Sequence, residues 1–102
     1  MEFLIYLAAF FCGAFFANAV PHFVQGISGN KFPTPFARPP GKGLSSPILN
    51  VAWGLLNMVI GWLLVGPGHV FAPTHLPLYV AFLGAAIMSI LLSSRFQQKH
   101  KE

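Results

Sequence analysis

Residues Pro21 to Pro47 read PHFVQGISGNKFPTPFARPPGKGLSSP, and this stretch divides the chain. It holds six of the nine prolines and three of the six basic residues, Lys31, Arg38 and Lys42. On either side the sequence is almost wholly apolar. No charge falls between Glu2 and Lys31, and none between Lys42 and Arg95. A chain of 102 residues allows one domain, 1–102. It is 55% hydrophobic and 8% charged, against about 25% charged for an ordinary soluble domain. A soluble fold of this size needs a charged surface, so lipid is the expected solvent.

Three spans are predicted. The first is 3–20, eighteen residues without a charge, or about 27 Å of helix against a hydrocarbon core of about 30 Å. Ala17-Asn18-Ala19 has the form of a signal-peptide cleavage site, but Glu2 stands where a basic n-region is wanted, which favours a retained span. Pro21 is expected to end or kink this helix. The second span is 48–65, with Ser45 or Ser46 as N-cap, Pro47 at the first helical position and Gly66-Pro67-Gly68 as stop. A short outer loop, 66–77, leads to the third span, 78–94, with Pro77 tolerated in its first turn. A basic tail, 95–102, follows. The fold class is therefore an all-α membrane protein with three transmembrane helices and a long Pro/Gly-rich linker, 21–47, between helices 1 and 2.

That linker is far longer than the two to eight residues or so that most helix pairs need. Gly26 and Gly29 can supply turns with positive φ. Phe32-Pro33-Thr34-Pro35-Phe36 and Arg38-Pro39-Pro40 favour extended or polyproline-like backbone. The phenylalanines argue against a plain disordered spacer. They predict a segment resting at the membrane interface through Phe23, Phe32 and Phe36.

Orientation follows from charge. With three spans, the linker and the tail share one side, and that side holds Lys31, Arg38, Lys42, Arg95, Lys99 and Lys101. The positive-inside rule places both in the cytoplasm and the N-terminus outside a cell (inner) membrane. Tyr6, Trp62 and Tyr79 fall near the outer boundary, where aromatic rings anchor.

Close packing of small residues and interhelical hydrogen bonds must hold such helices together. Each span offers a stripe on one face: Ala9, Gly13 and Ala17; Asn50, Gly54, Asn57 and Gly61; Ala81, Ala85, Ser89 and Ser93. Asn18, Asn50 and Asn57 are read first as interhelical hydrogen-bonding groups, and second as the lining of a polar path.

Reactive chemistry is sparse. The two acids, Glu2 and Glu102, lie at the ends of the chain, so no span carries an acid to serve as general base or proton relay. His69 and His75 share a loop without further ligands, whereas zinc wants three or four, so no metal and no cofactor is expected. Cys12 sits alone in an apolar run and reads as a small hydrophobe. Gly26–Lys31 and Gly41–Ser46 lack the nucleotide-loop pattern. The net charge of +4 reflects a few basic residues flanking spans, and no nucleic-acid partner is expected. Lys31, Arg38, Lys42, Ser45 and Ser46, beside the start of the second span, are candidates for anionic lipid head groups. The expected partners are the lipid bilayer, those head groups, and a larger membrane complex or a homo-oligomer. The sequence points to a non-enzymatic protein acting through helix and linker contacts, as accessory subunit or self-associating unit. The alternative is a small oligomeric channel or carrier lined by Asn50, Gly54, Asn57 and Gly61.

Overall fold

The computed structural model describes residues 2–97 and is all-helical, with no strand among them. Three helices follow one another: α1 (Glu2–Ile27), α2 (Pro47–Val65) and α3 (Leu76–Gln97). Each is long and apolar enough to cross a membrane. The long dimension of the molecule is 45 Å, close to the roughly 40–45 Å of a bilayer with its head groups. Lys99, His100, Lys101 and Glu102 of the tail lie outside the described residues.

Helix α1 corrects the expected first boundary. It does not end at Pro21 but carries that residue inside and continues to Ile27. Proline removes one backbone hydrogen bond, yet the turns beyond it are held from outside. Gly26 packs against the start of α2 at Pro47 and Val51, and Phe23 against Gly54. The helix stops where its backbone can turn. Gly29 has φ 78°, the Asn30 N–H reaches the Gln25 carbonyl at 2.9 Å, and the Gly29 N–H reaches Gly26 at 3.0 Å. This pair of bonds, closed by a left-handed glycine, is a Schellman ending. Gly26 therefore serves close packing rather than a turn, and the true connection is 28–46 instead of 21–47.

Start and stop of α2 follow from local chemistry. Ser46 is the N-cap, its hydroxyl accepting from the Leu49 N–H at 3.1 Å, and Pro47 opens the helix. At the far end His69 takes the left-handed position, with φ 50°. The His69 N–H bonds to Gly66 at 3.0 Å and the Val70 N–H to Val65 at 3.2 Å, the same closing pattern. Val70 is then buried with Ala9, Cys12 and Ala81. Helix α3 opens at Leu76 rather than Leu78, keeps Pro77 in its first turn, and runs past Ser94 through Arg95 to Gln97. The added turn is held by Phe96, whose ring lies 4.5 Å from that of Phe32 in the connection.

Helix α1 is the centre of the fold. It packs against both α2 and α3, whereas α2 and α3 have no neighbouring backbone between them among the described residues. Glycines set the approach on both sides. Toward α3, a Cβ on Gly13 would collide with the Ala81 carbonyl, and one on Gly84 with the Phe10 carbonyl. Toward α2, a Cβ on Gly61 would lie 2.9 Å from the Phe16 ring. Such contact is the available drive for association where burial of apolar surface gives none.

Candidate functional site

The connection 28–46 is a folded cap rather than the extended segment expected. Phe32 and Ser45 pair in an antiparallel bridge, with N–H to carbonyl distances of 3.2 and 2.9 Å. Between them the chain turns on itself. The Ala37 and Gly41 N–H groups both reach the Thr34 carbonyl, at 3.1 and 2.9 Å, and the Gly43 N–H reaches Pro39 at 2.8 Å. The Arg38–Pro39 peptide is cis. The hydroxyls of Thr34 and Ser45 bond across the base of the loop at 2.5 Å, both side chains buried. Prolines shape these turns, and backbone hydrogen bonds within the loop replace those that water would supply to an extended chain.

Asn50 ties this cap to the helices. It is fully buried. Its amide N–H groups donate to the carbonyls of Phe32, Ser46 and Ser45 at 2.9, 3.1 and 3.3 Å. With the nitrogen so placed, its oxygen must accept, and it faces Nδ1 of buried His22 at 2.9 Å. The His22 tautomer is thereby assigned with the proton on Nδ1. One side chain thus joins α1, the cap and the first turn of α2. Two turns deeper, Asn18 donates to the Asn57 oxygen at 2.9 Å, and Asn57 donates to the Trp53 carbonyl at 2.7 Å.

Around His22 stands an aromatic group. Phe32, Trp53 and Phe96 meet its ring nearly edge-on, with centroids 5.5 to 6.4 Å away. Phe36 meets Trp53 edge-on at 5.1 Å. Beside this group lies a cavity of about 260 Å³. It is walled by Asn18 and His22 of α1, Trp53 of α2, Arg95 and Phe96 of α3, and Thr34 with its neighbours in the cap. The Arg95 guanidinium lies against Gly41, where φ is 72° and a Cβ would collide with it. Trp53 Nε1 is buried without a hydrogen-bond partner among the described residues.

The residues singled out from sequence separate into groups. Asn50, Gly54, Asn57 and Gly61 are the buried residues of α2. They face α1, with their amide groups bonded and their glycines filled by Phe23 and Phe16. Ala9, Gly13 and Ala81 are buried, but Ala17 and Ala85 are half-buried and Ser89 is exposed. Ser89 bonds back to the Ala85 carbonyl of its own helix at 2.7 Å. The stripe of α3 thus meets α1 only along its first half, where Gly84, outside the stripe, makes a further close approach to the Phe10 carbonyl. Lys31, Arg38 and Lys42 are exposed on the cap. Ser45 and Ser46, expected beside them at a head-group site, are engaged with Thr34 and with the Leu49 N–H. Phe32 is buried rather than interfacial, and Phe23 lies in α1, while Phe36 is 60% exposed. Nothing local in the sequence marks His22, Trp53, Arg95 and Thr34 as a group. Pro21 suggested that His22 lay in a loop, and nothing in the spacing links these four positions. Among the described residues no three His, Cys, Asp or Glu side chains come together as a metal site.

Comparison with protein families, with curated proteins and with solved structures finds no match, so the functional reading rests on the chain's own residues.

Proposed function

We propose that this is a non-enzymatic, multi-pass protein of the cell (inner) membrane that works by contact, as an accessory subunit or a self-associating unit. In this reading the N-terminus lies outside and the cap faces the cytoplasm. The observation that carries it is the folded cap. The side chains of Asn18, Asn50 and Asn57 are spent on bonds within the fold, and the exposed outer helix faces carry Leu, Phe, Ile and Val suited to lipid. The cap instead presents exposed Phe36 and the exposed basic residues Lys31, Arg38 and Lys42. An exposed aromatic ring and basic groups on one folded segment suit contact with an acidic protein surface next to the membrane.

The test is affinity purification of the full chain in mild detergent, with mass spectrometry and a size measurement. A stoichiometric partner or a discrete homo-oligomer is expected, weakened by Phe36→Ala combined with Arg38→Gln. A lone monomer with no enriched companion, from native membranes and at native abundance, would remove the basis for this reading.

A further inference from the structure

We propose that the cavity under the cap binds the anionic head group, phosphate or carboxylate, of a membrane amphiphile, whose chain lies in the open groove between α2 and α3. The inference shares the membrane reading above but does not depend on which partner the cap takes.

Three observations converge on one ligand chemistry. First, the Arg95 guanidinium lines the cavity with no ion pair among the described residues. The chain has only two acids; Glu2 begins α1, at the end away from the cap, and Glu102 lies outside the described residues. A guanidinium presents a planar fork of donors that fits an oxyanion in bidentate fashion. Second, the buried Trp53 N–H lacks an acceptor, and the same cavity is lined by that residue. An indole N–H can only donate, and this one is closed to water, so it meets a ligand oxygen once the indole turns toward the cavity. Third, His22 commits Nδ1 to Asn50, which leaves Nε2 as its remaining ring nitrogen beside the cavity. A neutral Nε2 accepts, and so suits a hydroxyl on the same head group.

Size and surroundings decide that the ligand is an amphiphile. The cavity, at about 260 Å³, falls below the roughly 300 Å³ where sites for drug-sized ligands begin. It has room for a head group but not for acyl chains. The apolar part must lie outside, and the fold leaves a track for it. Leu4, Leu7 and Phe11 share the face of α1 that carries Asn18, at helical spacings of three, four and seven residues. All three are exposed, and α2 and α3 do not meet each other over α1. Head and chain would thus follow one continuous surface from the cavity down α1.

Native mass spectrometry of the delipidated full chain in a nonionic detergent tests this, with phosphatidic acid, phosphatidylglycerol, phosphatidylcholine and inorganic phosphate as probes. One anionic lipid should bind per chain at least about tenfold more tightly than phosphatidylcholine. Arg95→Gln should weaken it about tenfold, with Arg95→Lys between the two. Trp53→Phe, which keeps an aromatic ring and removes the N–H, should weaken it about threefold or more. His75→Gln, exposed in the loop at the end away from the cap, should stay within about twofold of wild type. Retained helical circular dichroism shows that each variant is folded. Equal binding of anionic and zwitterionic lipid, or no response to Arg95→Gln and Trp53→Phe, overturns the assignment. Displacement of the lipid by inorganic phosphate at equal concentration overturns the amphiphile and points to a soluble anion.

Discussion

Replacing Gly13 with alanine adds one methyl group, yet it should be among the most damaging small changes in this chain. The added carbon would overlap the Ala81 carbonyl and crowd the Ala85 nitrogen at 3.0 Å. Those are backbone atoms of a helix, so no side-chain rotation relieves the clash. The helices must part by about 2 Å to restore van der Waals distance, and dispersion contacts along the seam weaken with them. Overpacking against rigid surroundings costs about 1–3 kcal/mol, and the backbone target puts this case at the top of that range. Alanine returns about 1 kcal/mol through better helix propensity than glycine. The net expectation is about 2 kcal/mol of destabilisation, close to a thirtyfold shift in the folding equilibrium. Gly66→Ala is the matched control. Nothing lies within 4 Å of its added carbon, and its φ of −64° is already helical. That variant should be neutral, or more stable by up to about 1 kcal/mol. Reversible unfolding in mixed micelles, followed by circular dichroism, measures both. If Gly13→Ala proves as stable as Gly66→Ala, the α1–α3 seam is not packed as described.

Asn50→Leu should cost about 2 kcal/mol, because the buried His22 Nδ1–H loses its acceptor while the carbonyls of Phe32 and Ser45 keep each other's N–H groups. Asn57→Leu should cost nearer 0.6 kcal/mol, the average for a hydrogen bond between membrane helices; equal losses in the same unfolding assay would contradict the central place given to Asn50. Hydrogen exchange in nanodiscs should find the Ala37, Gly41 and Ser45 amides slow, since each donates to a carbonyl within the cap. Complete exchange of those three within seconds would mean that the cap is not folded in solution. For topology, a single cysteine at Lys42→Cys in a Cys12→Ala background should react with a membrane-impermeant maleimide only after the cells are opened; labelling of intact cells would reverse the proposed orientation.

The sequence by itself determined that the chain forms three long apolar helices, because long runs without charge leave few alternatives. It also marked the start of α2, since Ser46 and Pro47 act within a single turn. The face of α2 with Asn50, Gly54, Asn57 and Gly61 was legible from spacing, for helical geometry alone puts those four together. What tertiary structure decided were matters that depend on contacts between distant positions. Pro21 reads as a helix end, and only the packing of Phe23 and Gly26 on α2 carries α1 through it. The linker reads as extended, and only its bonds to Asn50 and across Phe32 and Ser45 fold it into a cap. The cavity was least legible of all. Asn18, His22, Thr34, Trp53 and Arg95 come from three helices and the cap, and no local periodicity relates residues whose proximity is set by how the helices pack on α1.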